Sequence, residues 1–500
     1  MKSFFFILLS LPGFCAALQR NPDNGAAADS VVHIFYQKMD GQPVWLTTAG
    51  RQHLDLLTRY FRQATYLGLD AKDYEPALVQ AVMDNSWKMP AAADTFTTDL
   101  RITEAAIQFF SDIVYGRQVK PFVKFDGLPP LPDRRTDIAT KLADGLLREQ
   151  FSSFLQIIEP ADSGYHEMKK NIAGVCTVLM DTAFIEIPVT SLKADSSNAA
   201  LLRRLHQIGI TDTMPGIPDP SLQDRIIKAQ QRFNMLDDGV LRPRFLQALN
   251  VPLSSRLQEL KNALNQLRWL YYYKVHTSVV LVNIPATTLV FYEDNKPVLS
   301  SRVITGKKST PTPTLCSRIT EVVLFPYWTV PNKIAVRELL PHIKRDRQYL
   351  DDNQYQILDK HGHITDPSLI NWSQLGPGNF PYVIRQNTGC DNSLGIVKLN
   401  FFSPFDVYLH DTPGKSLFML QQRFFSHGCV RVEEAVPLAH LLLEKKAPAM
   451  IALEANGSQP DQHPVIFPVP GAVYVFILYN TAWPDATSQI RFYDDVYGKN

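Results

Sequence analysis

Five cysteines in 500 residues are too few to hold so long a chain together by disulfides. None falls in a C-x-x-C spacing, so neither a disulfide framework nor a zinc ribbon is encoded. Charge of one sign is missing too. The 50 Lys and Arg against 49 Asp and Glu leave a formal net charge of +1, so no bulk field draws the chain to nucleic acid or to an anionic surface. No apolar run approaches the ~20 residues that cross a bilayer, which excludes a membrane span in the mature form. Glycine (24) is outnumbered by proline (35), which favours stiff turns and excludes collagen-like and coiled-coil readings. What is present is 45% apolar and 11% aromatic residues, enough for substantial cores and, at roughly 100–200 residues per domain, for about three domains.

Residues 1–17 read as a secretory signal: Lys2, the apolar run Phe4 to Leu11, then the small residues Cys15-Ala16-Ala17. An exported mature protein beginning near Leu18 is expected. Phe14 and Pro12 ahead of Cys15 argue against lipidation. Four cysteines remain after cleavage, Cys176, Cys316, Cys390 and Cys429.

The pattern predicts a multidomain α+β protein. From Val31 to Ile187 apolar residues recur at helical spacing, as in Leu54, Leu57 and Phe61 or Ile102, Ala105, Phe109 and Phe110, and residues 18–211 are expected to form a mostly helical scaffold. Pro121, Pro129, Pro130 and Pro132 mark a loop within it. Pro215, Gly216 and Pro218 open a small helical unit, 212–250, in which Leu222, Ile226 and Phe233 share a face and Asp237-Asp238-Gly239 makes a turn. So small a unit buries little surface by itself and is expected to lean on its neighbours. A connecting helix over 251–274 leads to a mostly β domain, 275–455. There Ser278-Val279-Val280-Leu281-Val282-Asn283 and Leu289-Val290-Phe291-Tyr292 read as strands, with Asp294-Asn295 as a hairpin turn. Residues 341–392, polar and without clear strand periodicity, are expected to be a capping insertion over one face. Residues 456–500 suggest a further strand segment.

Reactive side chains are densest at Ser426-His427-Gly428-Cys429-Val430-Arg431, preceded by Tyr408-Leu409-His410-Asp411. A thiol has an ordinary pKa of about 8.5, so a nucleophilic cysteine needs a base or a positive neighbour. His410 and His427 are candidates. The N–H groups of Gly428 and Cys429 are candidate oxyanion donors, if the turn aims them inward. The other reading of these residues is a buried structural cysteine beside two satisfied histidines. No fourth metal ligand accompanies His410, His427 and Cys429, so neither a metal nor an organic cofactor is expected. Gly306-Lys307-Lys308-Ser309 ends like a P-loop, but Ser301 stands where its first glycine belongs, and no nucleotide site follows.

His410, a spacer, and Ser426-His427-Gly428-Cys429-Val430-Arg431 together resemble the signature of L,D-transpeptidases with a YkuD catalytic domain. The resemblance continues through Gly306-Lys307, Pro311-Thr312-Pro313, Phe325-Pro326-Tyr327-Trp328 and Asn392-Ser393-Leu394-Gly395. It is nearest to the large periplasmic subgroup with a scaffold, a peptidoglycan-binding-like unit (here 212–250) and a β-sandwich catalytic domain with a capping insertion. The resemblance implies Cys429 as acyl-accepting nucleophile and His410 as its base, oriented by the Asp411 carbonyl. It implies oxyanion and positioning work for His427 and Gly428, and substrate contacts from Arg431, Tyr408, Trp328 and Ser426. Arg431 as a structural ion-pair partner, and Trp328 and Tyr327 as aromatic core, remain alternatives. The implied reaction is a 3→3 cross-link between peptidoglycan stem peptides through a thioester, with carbapenems as acylating inhibitors. Hydrolysis of the same bond, as an L,D-carboxypeptidase or endopeptidase, and a non-catalytic wall-binding scaffold are the rivals. Relatives often carry Pro-Gly where this chain has Thr388-Gly389-Cys390. A reversible Cys390–Cys429 disulfide is one expectation there, a free thiol the other.

Overall fold

A computed structural model describes residues 25–83, 92–117, 134–180, 199–210, 221–457 and 462–499. The signal at 1–17, the proline-rich loop and the boundary stretch 212–220 lie outside these residues. The N-terminal half is helical and the C-terminal domain is rich in β-strands. Among the described residues no helix is long and apolar enough to cross a membrane.

The helix Arg51–Arg62 buries Leu54, Leu57, Thr58 and Phe61, one face at i, i+3, i+4 and i+7. It packs with Ala92–Tyr115 and Arg134–Leu147 around Phe35, Trp45, Phe109, Phe110 and Phe151. In the small unit, Leu222–Arg232 starts with a capping box between Ser221 and Asp224, and Pro243 opens Pro243–Leu249. Gln230 pins the turn between them, accepting from Gly239 N at 2.8 Å and donating to Val240 O at 3.0 Å. The apolar side chains Ile226, Ala229, Phe233, Phe245 and Leu249 join the core that also holds Leu201, Leu205 and Leu264, so the unit has no core separate from its neighbours.

The helix Leu253–His276 is the axle of the molecule. Towards the scaffold, Asn265 exchanges hydrogen bonds with both backbone groups of Arg117 (2.6 and 3.0 Å) and Arg268 donates to Leu67 O at 2.6 Å. Towards the β domain, Trp269 and Tyr273 lie 5.4 and 5.2 Å from the Phe476 ring. The strand beside it is therefore buried on both faces. Val279 and Leu281 belong to the helix-side core, Val280 and Val282 to the sheet core, which is why this strand reads as an unbroken apolar run.

The strands are β1 Ser278–Asn283, β2 Thr288–Glu293, β3 Lys296–Gly306, β4 Leu315–Leu324, β5 Trp328–Thr329, β6 Tyr355–Leu358, β7 Ile364–Thr365 and β8 Val383–Gln386. They continue with β9 Val397–Phe401, β10 Leu409–His410, β11 Phe424–Ser426, β12 Val430–Val432, β13 Val465–Leu478, β14 Ala482–Pro484 and β15 Ile490–Phe492. The main sheet runs β11-β3-β12-β10-β9-β4-β13-β1-β2, and β2 also pairs β3. The first half of β3 pairs β2 and its last residues pair β12 and β11, so the ladder returns on itself around one core. The helix Ala435–Leu443 contributes Leu438, Ala439, Leu442 and Leu443 to that core. Of the segment expected at 456–500, β13 is built into this sheet between β1 and β4, while β14 and β15 form a separate two-stranded sheet.

The capping segment, expected at 341–392 without clear strand periodicity, does contain strands. It carries a second sheet, β5-β8-β6-β7, over its own core of Val330, Leu339, Ile343, Ile357, Trp372 and Ile384. Trp328 pairs Gln386, so this unit begins near Trp328, earlier than residue 341. The chain's strand alternation there is too short to read, since β5 and β7 have two residues each.

Candidate active site

Strand register assembles the site. β10 pairs β12 in parallel (Leu409↔Val430, His410↔Arg431) and β9 antiparallel (Leu409↔Leu399, His410↔Lys398). Side chains alternate across a sheet. Leu399, Leu409 and Val430 face the core with no exposure, so Lys398, His410 and Arg431 share the opposite face, joined by Tyr408 and Cys429, two residues before His410 and Arg431. Val430 N donates to Tyr408 O at 3.1 Å, setting Tyr408 beside Cys429. The Lys398 ammonium lies 4.2 Å from the Tyr408 ring centre, and the Tyr408 and His410 rings are 5.6 Å apart.

His410 is buried, with Nδ1 2.6 Å from the Asp411 carbonyl oxygen. A carbonyl only accepts, so Nδ1 carries the proton and Nε2 keeps a free lone pair. Burial, aided by the Arg431 charge, pushes the imidazole pKa down to about 3 against the pull of the Asp411 hydrogen bond. The ring is thus neutral at neutral pH, with Nε2 open to accept a proton. The Asp411 carboxylate fixes this arrangement, accepting from Lys415 Nζ at 2.6 Å and from Ile396 N at 3.1 Å. Gly395, at φ +60°, leaves room for that carboxylate, which a Cβ would meet at 2.3 Å.

Cys429 is half-buried. Burial raises its thiol pKa, while hydrogen bonds from Tyr408 and the charges of Lys398 and Arg431 work the other way. Tyr408 is held protonated, chiefly by burial and then by the sulfur charge, and the Trp328 side chain hydrogen-bonds it. A phenol that keeps its proton is a donor to a thiolate. The Arg431 guanidinium is destabilised by burial and favoured only by the Cys429 charge. Its Nε has no hydrogen-bond partner, and among the described residues neither Arg431 nor Lys398 forms an ion pair. The ion-pair alternative for Arg431 therefore does not describe this structure. The face can deprotonate a thiol locally and receive an anionic substrate group.

Two expected site residues sit differently. Ser426 is 2% exposed. Its hydroxyl donates to Cys429 O at 2.5 Å and accepts from Gly428 N at 3.2 Å, so it braces the loop and has no surface for a substrate. Gly428 N–H is thereby engaged as well. His427 is exposed, and its Nε2 meets Glu338 Oε1 of the capping unit at 2.7 Å and lies 3.5 Å from Lys307 Nζ, which ties the cap to the loop. Trp328 packs on the capping core while reaching Tyr408. Cys390 is exposed and free. Lys398, Glu338 and the Asp411 carboxylate escaped the sequence reading. Only Lys398 left a signal, as the polar member of the alternating Val397-Lys398-Leu399.

Residues 277–451 match the family model of YkuD, the L,D-transpeptidase catalytic domain, and residues 30–172 match that of a Scaffold domain. The β domain is thus similar to L,D-transpeptidase catalytic domains, and the helical half to a scaffold domain. A curated protein of Haemophilus influenzae, provisionally named an L,D-transpeptidase, is 37% identical over 219 residues, 44% of this chain and 44% of that protein. The chain thus spans less than half the length of that relative. Among solved structures, an L,D-transpeptidase from Mycobacterium smegmatis matches at 12% identity over 40% of this chain and 58% of that one, with a TM-score of 0.17. A cysteine-to-serine mutant of an Enterococcus faecium L,D-transpeptidase matches at 10% identity over 46% and 65%, again at 0.17. Scores this low carry no structural argument.

Proposed function

We propose that this protein is an exported, periplasmic peptidoglycan L,D-transpeptidase that forms 3→3 cross-links through a Cys429 thioester, with residues 212–250 as a peptidoglycan-binding-like unit. The observation that carries the reading is His410: a buried neutral imidazole whose Nδ1–H is held by Asp411 O, on the same sheet face as Cys429. Nε2 takes the thiol proton as sulfur attacks the carbonyl between the L-centre of the donor's diaminopimelate and its terminal D-alanine. The tetrahedral intermediate collapses, the amide C–N bond breaks, and D-alanine leaves with the proton from His410. The side-chain amine of a second stem then attacks the thioester and gives its proton to Nε2, and the thiolate is released. Dividing one acyl transfer into two steps suits a nucleophile that is also a good leaving group.

Lys398 and Arg431, cations that form no ion pair among the described residues, favour a substrate bearing free carboxylates, as stem peptides and carbapenems do. Intact mass of wild type and Cys429→Ala after carbapenem exposure tests the site: one adduct on wild type only is expected, and no adduct on wild type under reducing conditions overturns the reading. Incubation with purified tetrapeptide stem then reads the reaction. Cross-linked dimer is expected; tripeptide plus free D-alanine without dimer would make the protein a carboxypeptidase.

A further inference from the structure

An acyl transfer at a thiol needs N–H donors aimed at the oxygen that becomes negative. Gly428 N–H is held by Ser426 Oγ, whereas among the described residues no acceptor takes Cys429 N–H. Its direction is set by its own peptide plane. In a trans peptide the C=O and N–H point in opposite senses, so whatever pins Gly428 O also aims Cys429 N–H.

Thr312 pins it. This fully buried threonine donates its hydroxyl proton to Gly428 O at 2.8 Å and accepts Gly306 N–H at 2.9 Å. A hydroxyl has one proton, so accepting from Gly306 commits that proton to Gly428 O. Tyr497 clamps the same turn at both ends, donating to Gly306 O at 2.5 Å and accepting from Thr312 N at 3.2 Å. A Cβ on Gly306 would meet Thr310 O at 2.2 Å, so the turn closes this tightly only on glycine. Tyr497 is held in turn: its N–H donates to the Tyr479 hydroxyl at 2.8 Å, the two rings stack at 5.4 Å, and Tyr479 donates to Asp495 at 2.6 Å. Gly428 itself lies at φ +122°, a conformation open to glycine and rarely adopted by residues with a Cβ.

We infer that Thr312 and Tyr497 are positioning residues that hold the Gly428–Cys429 peptide so that Cys429 N–H stabilises the oxyanion of acyl transfer. This rests on the acyl-transfer reading above. It also makes the chain's last residues part of the working site, although Tyr497 lies beyond the matched segment 277–451.

The test compares two reactions of Cys429 in the full chain by intact mass. Acylation by a carbapenem forms the thioester, opens the lactam C–N bond and passes through an oxyanion. Alkylation by iodoacetamide forms an S–C bond, expels iodide and builds no oxyanion. Thr312→Val is expected to slow acylation about 10–100-fold, short of losing an oxyanion donor outright, and to leave alkylation within about twofold. Thr312→Ser, which keeps the hydroxyl, is expected to restore acylation. Tyr497→Phe is expected to slow acylation alone, by about 3–10-fold, the size of one neutral hydrogen bond. Unchanged acylation in Thr312→Val, or equal slowing of both reactions in Thr312→Val and Tyr497→Phe, would overturn the inference. Wild type that alkylates but never acylates would instead remove the acyl-transfer reading beneath it.

Discussion

Buried cations are met differently at particular places in the two halves of this molecule. In the helical half several are held by carbonyls or by a carboxylate. Arg204 donates to Leu249 O and Val251 O at 2.5 and 2.6 Å. Arg256 pairs with Glu259 at 2.9 Å and lies 4.5 Å from the Phe492 ring centre. Lys274 is paired with Asp162. On the catalytic face Lys398 and Arg431 are also substantially buried, yet among the described residues neither forms an ion pair: Lys398 has the Tyr408 ring and only the more distant charges of Cys429 and Glu321, and Arg431 has the thiol. A buried charge is costly unless paired. Arg256 and Lys274 satisfy that rule, although Arg268 nearby keeps Nε and Nη1 without a hydrogen-bond partner; on the β9-β10-β12 face the unpaired cations lie beside a nucleophile, where an incoming anion would complete the pairing.

The comparison breaks most completely at Cys429 and His410. Cys429→Ala is expected to abolish acyl-enzyme by intact mass, and His410→Gln to slow acylation about 10²–10⁴-fold, the range of a lost general base, with neither change reaching the cations of the helical half. Next is Lys274→Met, which strands Asp162 and should cost about 3–5 kcal/mol in denaturant unfolding, while the folded fraction keeps its acylation rate. Lys398→Met should do the reverse. Stability is unchanged or slightly raised, and acylation by a carboxylate-bearing β-lactam falls about 10–100-fold, the value of a charged hydrogen bond, whereas the corresponding ester reacts alike with both proteins. Equal losses with acid and ester would refute the pairing role.

A subtler separation comes from pH. The Cys429 thiol is raised by burial, so its alkylation rate should climb with pH past the ordinary thiol range, and Lys398→Met, lacking a nearby cation, should shift the curve further up. His410, lowered from 6.5 to about 3, contributes stability that is complete above about pH 6.5 and is lost as pH falls towards 3; His410→Gln should flatten that dependence in thermal unfolding. The smallest effect expected is at Glu338→Gln. Its ion pair with His427 is half-exposed and worth under about 1 kcal/mol, so the KM for tetrapeptide should change by no more than about fivefold, with kcat unchanged.

Much of this was legible from residue order. The run Val279-Val280-Leu281-Val282 announced a strand, though not that both its faces are buried, and the helical spacing of Leu54, Leu57 and Phe61 announced a helix. His410 and Cys429 stood out as reactive side chains, but residue chemistry alone left a structural cysteine as an equal reading, and the resemblance tipped it. Ser426 was misread as a substrate contact, since hydroxyls serve loops and ligands equally well in sequence. β13 could be seen as a strand but not as the partner of both β1 and β4, because partner choice depends on long-range burial that no local pattern encodes. Thr312 stood in a matching segment but with no role attached, and Tyr497 and Glu338 gave no signal at all, each acting through a contact more than 80 residues away in sequence.

The sequence by itself determined which atoms are reactive and, through the period of two in its strands, that Tyr408 lies on the face of His410 and Cys429 on that of Arg431; their meeting with Lys398 is a matter of register. Only the tertiary structure decided their states: that His410 is neutral, that Gly428 N–H is engaged, that Arg431 is unpaired and that the cap reaches His427. Protonation and hydrogen-bond direction depend on burial and on neighbours brought in from remote segments, and those quantities exist only once the chain has closed around the site.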